Sequence, residues 1–319
     1  MIRTKTNKSI DVVKLIMAFL VVAIHTEPFG AWFILDKAFG IFTRLCVPFF
    51  FVASSYFFFL KNGDPIHYAK RLFLLYLIWS VIYLPFDLQE IKEMTLVEIL
   101  VMYFWTGNGH ALWYLCGSMV GFGITYGLSR VMRPKTVFTI AIVFLLVGCM
   151  KSTYAPVWET YFAWQFTDFL GSRNGLFYAF AYYAMGLIIA QQDDQCRKPE
   201  KKHIVGLLIF FMMLFLESSV LVLLLKTPKT ILWISVLPLT YNFFMIVKRI
   251  HVSITDHTSY VIRKCSILIY VSHCFFMYLF PNLRYWRLFF AVSALSVVFS
   301  MLVIALSRYH YFRWLRVLS

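Results

Sequence analysis

The sequence has 319 residues, of which 61% are hydrophobic, 19% aromatic and only 14% charged, with a formal net charge of +15. That composition excludes an ordinary soluble globular domain and is that of a chain crossing a bilayer repeatedly. The positive charge does not point to nucleic acid, because the basic residues sit in short clusters between apolar runs, as in the loops of membrane proteins.

A chain of this length accommodates about ten spans of roughly 20 residues with short connections. The first run, residues 10–29, reads IDVVKLIMAFLVVAIHTEPF and is long and apolar enough to cross. The N-terminus mimics a signal peptide. The run nevertheless contains Asp11 and Lys14 and lacks a small-x-small cleavage site, so it is expected to remain as an uncleaved first span. Span two, residues 38–60, holds Arg44 and Pro48 and ends in an aromatic run. Span three is predicted at 71–88, and residues 95–105, too short to cross, are expected at the interface. Further spans are predicted at 110–129, 136–150, 175–191, 204–225, 231–247, 266–283 and 288–307. The expected architecture is all-α: one polytopic membrane helix bundle of about ten transmembrane helices, a single domain over residues 1–319.

Charge sets the orientation. With the N-terminus inside, the cytoplasmic segments carry 20 of the 30 basic residues and the opposite side 8, while Lys14 and Arg44 lie within spans. Both termini are therefore expected in the cytoplasm. Two outer segments exceed a turn, residues 87–109 and 151–174. The second is rich in Trp, Tyr and Phe around Glu159 and Asp168 and reads either as an interfacial belt or as a surface for stacking sugar rings. The six cysteines show no CxxC or metal spacing and fall mostly inside spans, so neither a disulfide framework nor a metal site is expected.

Ionisable residues inside spans are costly and suggest function. Asp11, Lys14 and His25 form one stripe of span one, with Lys14 and His25 roughly 16 Å apart along the axis. His25 falls toward the outer leaflet, where Thr26 and Glu27 can orient its ring. It reads equally as a general base for a hydroxyl nucleophile or as an interfacial histidine bonded to a backbone carbonyl. Asp11 and Lys14, three residues apart near the cytoplasmic surface, read as an intrahelical ion pair. Arg44 lies at a depth comparable with His25, suited to an oxyanion or acidic group, or to pairing with Glu27 or Asp36. Further candidates are His110 with Trp113 and Tyr114, Arg173 with Asn174, Glu217, and Ser272 with His273. His273 falls only about seven residues into its predicted span, toward the inner half, and adjacent helical residues point about 100° apart, so a Ser272–His273 dyad is discounted.

Six segments in register resemble the acyltransferase 3 family of integral membrane acyltransferases. They are Asp11, Lys14 and His25 of span one, and Arg44-Leu-Cys-Val-Pro48-Phe-Phe-Phe-Val-Ala-Ser54-Ser55-Tyr56-Phe of span two. The others are Tyr68-Ala-Lys70-Arg71, His110-Ala-Leu-Trp113-Tyr-Leu, Ser172-Arg173-Asn174-Gly175 with Gly186 following, and Ile269-Tyr270-Val-Ser272-His273. Lys14 stands where the family usually has Arg, Ser55 where it has Gly, and Cys274 where it has Pro. The nearest likeness is to the branch that includes the membrane half of vancomycin-resistance serine racemases, a half associated with amino-acid uptake.

The resemblance implies a multi-pass protein of the bacterial plasma membrane. It implies transfer of an acyl group, commonly acetyl, from cytoplasmic acyl-CoA to a hydroxyl of an extracytoplasmic cell-envelope glycan or related acceptor. His25 would be the base, with Arg44 and Arg173 stabilising charge. Lys14, Lys70 and Arg71 would hold acetyl-CoA, and Glu27, His110, Trp113, Tyr114 and Asn174 would contact the acceptor. Asp11, Glu217 and His273 have no assigned role. A polar passage joining the two sides is expected. The alternatives are an amino-acid or small-solute transporter using that passage, and a non-catalytic partner in envelope assembly.

Overall fold

The computed structural model describes residues 7–108, 110–162, 171–192, 199–221 and 232–318, all helix, turn or loop, with no strand among them. The longer helices are α1 (Lys8–Thr26), α2 (Phe33–Phe42), α3 (Cys46–Leu60), α4 (Pro65–Ile91), α5 (Leu96–Val101), α6 (Trp113–Ser129) and α7 (Pro134–Lys151). They continue with α8 (Ala155–Phe162), α9 (Phe180–Gln191), α10 (Lys201–Ser219), α11 (Val236–Val247), α12 (Asp256–Tyr278) and α13 (Tyr285–Leu306). The architecture is the polytopic helix bundle expected from composition.

Among the described residues, 7 helices are long and apolar enough to cross a membrane alone, with α2 and α3 counting as one, bent by a tight turn at Thr43–Leu45. The expected number was about ten. Three expected spans, on α6, α9 and α11, are short, at 17, 12 and 12 residues. Helix α9 explains how a short element serves. Its residues Phe180 to Leu187 are all buried on every side, which marks a helix inside the bundle rather than at the lipid boundary. Helices at the edge of the bundle face outward instead, with Leu208, Ile209, Met212 and Met213 of α10 and Val298, Met301 and Leu302 of α13 exposed.

Local signals set the helix ends. Pro28 follows the αL residue Glu27, whose amide donates to the Ala23 carbonyl at 3.0 Å, so α1 stops at Thr26 instead of residue 29. Asp64 caps α4, accepting from the Ile66 amide at 2.9 Å, with Pro65 at the first position, so α4 begins six residues before the expected start at 71. Thr255 caps α12, accepting from the Thr258 amide at 3.0 Å, and moves that start from 266 to Asp256. The polar run after Asp256 reads as loop, but it is the first turns of a helix.

The closest packing joins α3 to α9, then α1 to α12 and α12 to α13. Gly186 makes the first contact possible. A Cβ there would stand 2.6 Å from Ser55 Cβ and 2.7 Å from the Val52 carbonyl oxygen. Ser55 itself donates to the Tyr183 carbonyl at 2.5 Å. On one face of the bundle, Asn7 donates to the Lys248 carbonyl at 2.7 Å, Ser9 to the Val247 carbonyl at 2.7 Å, and Lys8 bridges to Asp256 at 3.0 Å. Arg308, just past α13, lies 3.1 Å from His257, so the two ends of the described chain share that face. Glu200 also lies there. Hydrogen bonds from Lys202 and Arg249 hold its carboxyl below the usual carboxylate range.

Five cysteines (Cys46, Cys116, Cys149, Cys265 and Cys274) are free and buried as small hydrophobes, while Cys196 lies outside the described residues. Asp168 of the aromatic outer segment also lies outside them. Gly186→Val is expected to destabilise by about 1–3 kcal/mol through overpacking of α3 on α9. A melting temperature equal to that of the parent in the same detergent would contradict this packing.

Candidate functional site

Helices α1 and α12 run parallel with a fixed register. Lys8 meets Asp256 at 3.0 Å, and Asp11 accepts from Ser259 Oγ at 2.6 Å, a pair 248 residues apart in sequence. The same offset of 248 relates His25 to His273, whose ring centres lie 5.1 Å apart at 41°. Each histidine is therefore roughly 26 Å along its helix from the basic face, at about 1.5 Å per residue. The expectation that His273 sits in the inner half is corrected by the earlier start of α12.

A cavity of about 570 Å³ opens on the face away from the chain ends and contains His25. The bend before α3 brings Arg44 and Val47 into its wall. The segment before α9 supplies Arg173, and Trp113, Tyr178, Trp233 and Tyr270 add aromatic surface. Arg173 lies 4.8 Å over the Trp113 ring, and Arg44 lies 5.9 Å over that of Trp233. Glu27 and Asp36 sit toward the mouth with Phe33 and Ile34 of α2. No residue of α2 is buried, and Phe33 and Ile34 are 69% and 80% exposed, so this helix is a thin apolar wall. His25, Arg44, Arg173, Glu27 and Trp113 thus come together, an imidazole and two guanidiniums in one concave space.

Other candidates hold the scaffold. Asn174 accepts from the Leu176 and Phe177 amides at 3.0 and 2.9 Å and donates to the Gly171 carbonyl at 2.9 Å, fixing the turn that carries Arg173. Tyr114 packs 4.8 Å from the Phe51 ring, with its hydroxyl 3.3 Å from Ser54. Glu217 accepts from the Ile234 and Ser235 amides at 2.9 and 3.1 Å and from the hydroxyls of Tyr154 and Ser235, tying α10 to the start of α11. His110 is buried away from the cavity, bonded through Nε2 to Asp87 and 2.8 Å from the Tyr278 hydroxyl. Thr26 donates to the Val22 carbonyl at 2.9 Å, so its hydroxyl does not orient His25.

On the basic face, Asp11 is fully buried. Its carboxylate turns to Ser259 and to Arg263 at 3.4 Å, replacing the intrahelical pair expected with Lys14. Lys14 instead lies 5.2 Å over the Phe57 ring, with Lys61, Arg71 and Arg263 as its cationic neighbours. Burial, then Arg263, pushes the Lys61 ammonium below the usual lysine range. Lys70 and Arg71 are exposed. Arg263 and Lys61 were not singled out from sequence. A helical start at Thr255 would have placed Arg263 two turns into α12, opposite Asp11.

The cavity around His25 does not reach this cluster. On α1 its lining ends at Val21, roughly 10 Å along the axis from Lys14. Met17, Ala18, Phe49 and Phe50 are buried in the packed layer between. Among the described residues apolar side chains of α1 and α3 pack there, and the cavity does not continue into the passage expected from the stripe.

The chain belongs to the acyltransferase 3 family, whose model, described as an acyltransferase domain, matches residues 7–307. An amino-acid racemase of Enterococcus faecalis is 26% identical over 234 residues, covering 67% of this chain and 32% of the relative. A serine/alanine racemase of Enterococcus gallinarum is 26% identical over 238 residues, covering 67% of this chain and 33% of the relative. The chain thus spans about a third of the length of these curated relatives. No solved structure matches it. The matched region is a membrane-embedded acyltransferase domain. In intact cells, Val47→Cys is expected to react with a membrane-impermeant maleimide added outside, while Lys14→Cys is protected. The reverse pattern would contradict an outward-opening cavity.

Proposed function

We propose that this acyltransferase 3 family member moves an acyl group, acetyl above all, from cytoplasmic acyl-CoA to a hydroxyl of an extracytoplasmic cell-envelope glycan or related acceptor. The observation that carries the reading is His25 lining one cavity together with Arg44 and Arg173, on the face opposite the basic one. An imidazole that takes the acceptor's hydroxyl proton turns its oxygen into a nucleophile for the thioester carbonyl carbon. The two guanidiniums that share the cavity would stabilise negative charge developing on the carbonyl oxygen, and in a cavity poor in water fixed charges act strongly. The C–S bond then breaks, and the thiolate of CoA takes the proton from His25. Aromatic walls of Trp113, Trp233 and Tyr178 suit the apolar faces of a sugar ring.

On the basic face, taken as cytoplasmic from the distribution of Lys and Arg, Lys14, Lys61, Arg71 and Arg263 form the natural seat for the phosphates of CoA. Lys14 is a point charge and cannot make the bidentate contact of an arginine, whereas Arg71 and Arg263 can. The pantetheine arm would have to part the layer around Met17 and Phe50 for the thioester to meet His25.

That same sealed layer favours one second reading. A cavity open on one face and closed toward the other is also what alternating access requires of a transporter. The relatives named amino-acid and serine/alanine racemases make a free amino acid its first candidate cargo.

Thermal unfolding separates the two. At about a hundredfold excess over its dissociation constant, acetyl-CoA is expected to stabilise the purified protein by about 2–3 kcal/mol, with serine giving no shift. Stabilisation by serine and not by acetyl-CoA would overturn the enzyme reading. Lys14→Ala should weaken the donor-induced shift, and an unchanged affinity would remove Lys14 from the donor site. His25→Ala is expected to lower acyl transfer by about 100- to 10,000-fold while leaving membrane insertion intact.

A further inference from the structure

His273 is completely buried against His25 and is not part of the reaction described above. Its Nδ1 lies 2.6 Å from the carbonyl oxygen of Tyr270, an acceptor only, so Nδ1 carries the proton. In the neutral ring that leaves Nε2 as the nitrogen with the lone pair. Among the described residues Nε2 meets the Cys274 sulfur at 3.3 Å, a weak partner. A neutral acceptor in this tautomer has its ring centre 5.1 Å from that of His25, close enough that reorienting the rings brings their nitrogens within hydrogen-bond reach.

The turn carrying His273 is also built with unusual care. The hydroxyl of buried Tyr83 donates to the Val271 carbonyl at 2.8 Å and accepts from the Phe275 amide at 3.0 Å. These two backbone groups are i and i+4 partners of an ordinary helix, so Tyr83 is wedged into the α12 ladder around His273. Behind it, His110 stacks on the Tyr83 ring at 4.6 Å and 10°, and Asp87 holds His110 while accepting from Tyr103 at 2.9 Å. Tyr83 and Asp87 of α4 and His110, just before α6, converge on one turn of α12.

We propose that His273 is a positioning residue for His25, holding its ring and accepting the N–H of the imidazolium formed when His25 takes the acceptor's proton. Tyr83, locked by His110 and Asp87, fixes the turn that presents it. The proton itself returns from His25 to the CoA thiolate, so His273 ends each cycle unchanged. The inference rests on His25 as the base, and its test has one arm independent of turnover.

In full-length protein with ¹⁵N-labelled histidine in lipid nanodiscs, His273 is expected to show the Nδ1–H tautomer. The His25 signals should shift in His273→Leu and not in His257→Leu. Under acyl-transfer assay, His273→Leu should lose kcat on the order of 100-fold with KM unchanged. His273→Gln, whose amide reaches the Nε2 position, should recover much of that loss. Tyr83→Phe, which keeps the ring and removes the wedge, should lower kcat in the same direction and provides the test if His273→Leu fails to fold. An Nε2–H tautomer, His25 signals indifferent to His273, or Gln and Leu variants equally impaired would overturn the proposal. Absence of transfer in the parent protein would instead overturn the acyltransferase assignment for this chain, leaving the spectra to decide the histidine pairing.

Discussion

The parallel pairing of α1 and α12 is the contact on which the rest of the molecule depends. Each helix carries ionisable groups into a setting where an unpartnered charge is costly, and each supplies the other's partners. Asp11, fully buried, answers Ser259 and Arg263, and one turn nearer the surface Lys8 meets the exposed Asp256. Because both helices rise at the same rate, fixing the register at the basic end also fixes it near the far end, where His25 meets His273. A polar lock at one face thus sets the geometry of a site on the other.

Around that pair the bundle divides its work by layer. Aromatic and small residues of α3 and α9 make a dense centre, with Gly186 permitting close approach against Ser55. Above it the bend at Thr43–Leu45 turns Arg44 inward, and the Asn174 cap turns Arg173 toward Trp113. Below it the cations gather around Asp11. The layer between keeps the two polar regions apart, so joining them requires motion of packed helices such as α1 and α3. An enzyme taking its donor from one side and its acceptor from the other has reason to keep such a barrier closed at rest, since an open polar channel would leak ions and hydrolyse a thioester.

The polar groups outside the cavity show how much of the buried chemistry serves support. Glu217 gathers donors from three residues to hold the start of α11, and Asp87 gathers Tyr103, Asn108 and His110. A carboxylate within an apolar bundle is tolerable when its acceptor sites are filled, and both of these meet that condition. Isolated motif residues such as His110 and Asn174 are therefore part of the scaffold, held by Asp87 and by the turn at Gly171.

Composition and hydrophobic runs were enough to establish a polytopic helical bundle, because the bilayer demands long apolar segments and leaves few alternatives. Spacing within span one also set His25 roughly 16 Å beyond Lys14 along the helix, since helical rise is local physics. The basic residues fixed an expected orientation by the same kind of local count. Only the tertiary structure decided which groups meet. It paired Asp11 with Arg263 rather than Lys14, drew His110 away from the cavity, raised His273 to the level of His25, and packed apolar side chains between the cavity and Lys14. Those outcomes depend on where α12 begins and how side chains from distant segments interlock, and neither is written in the periodicity of any single helix.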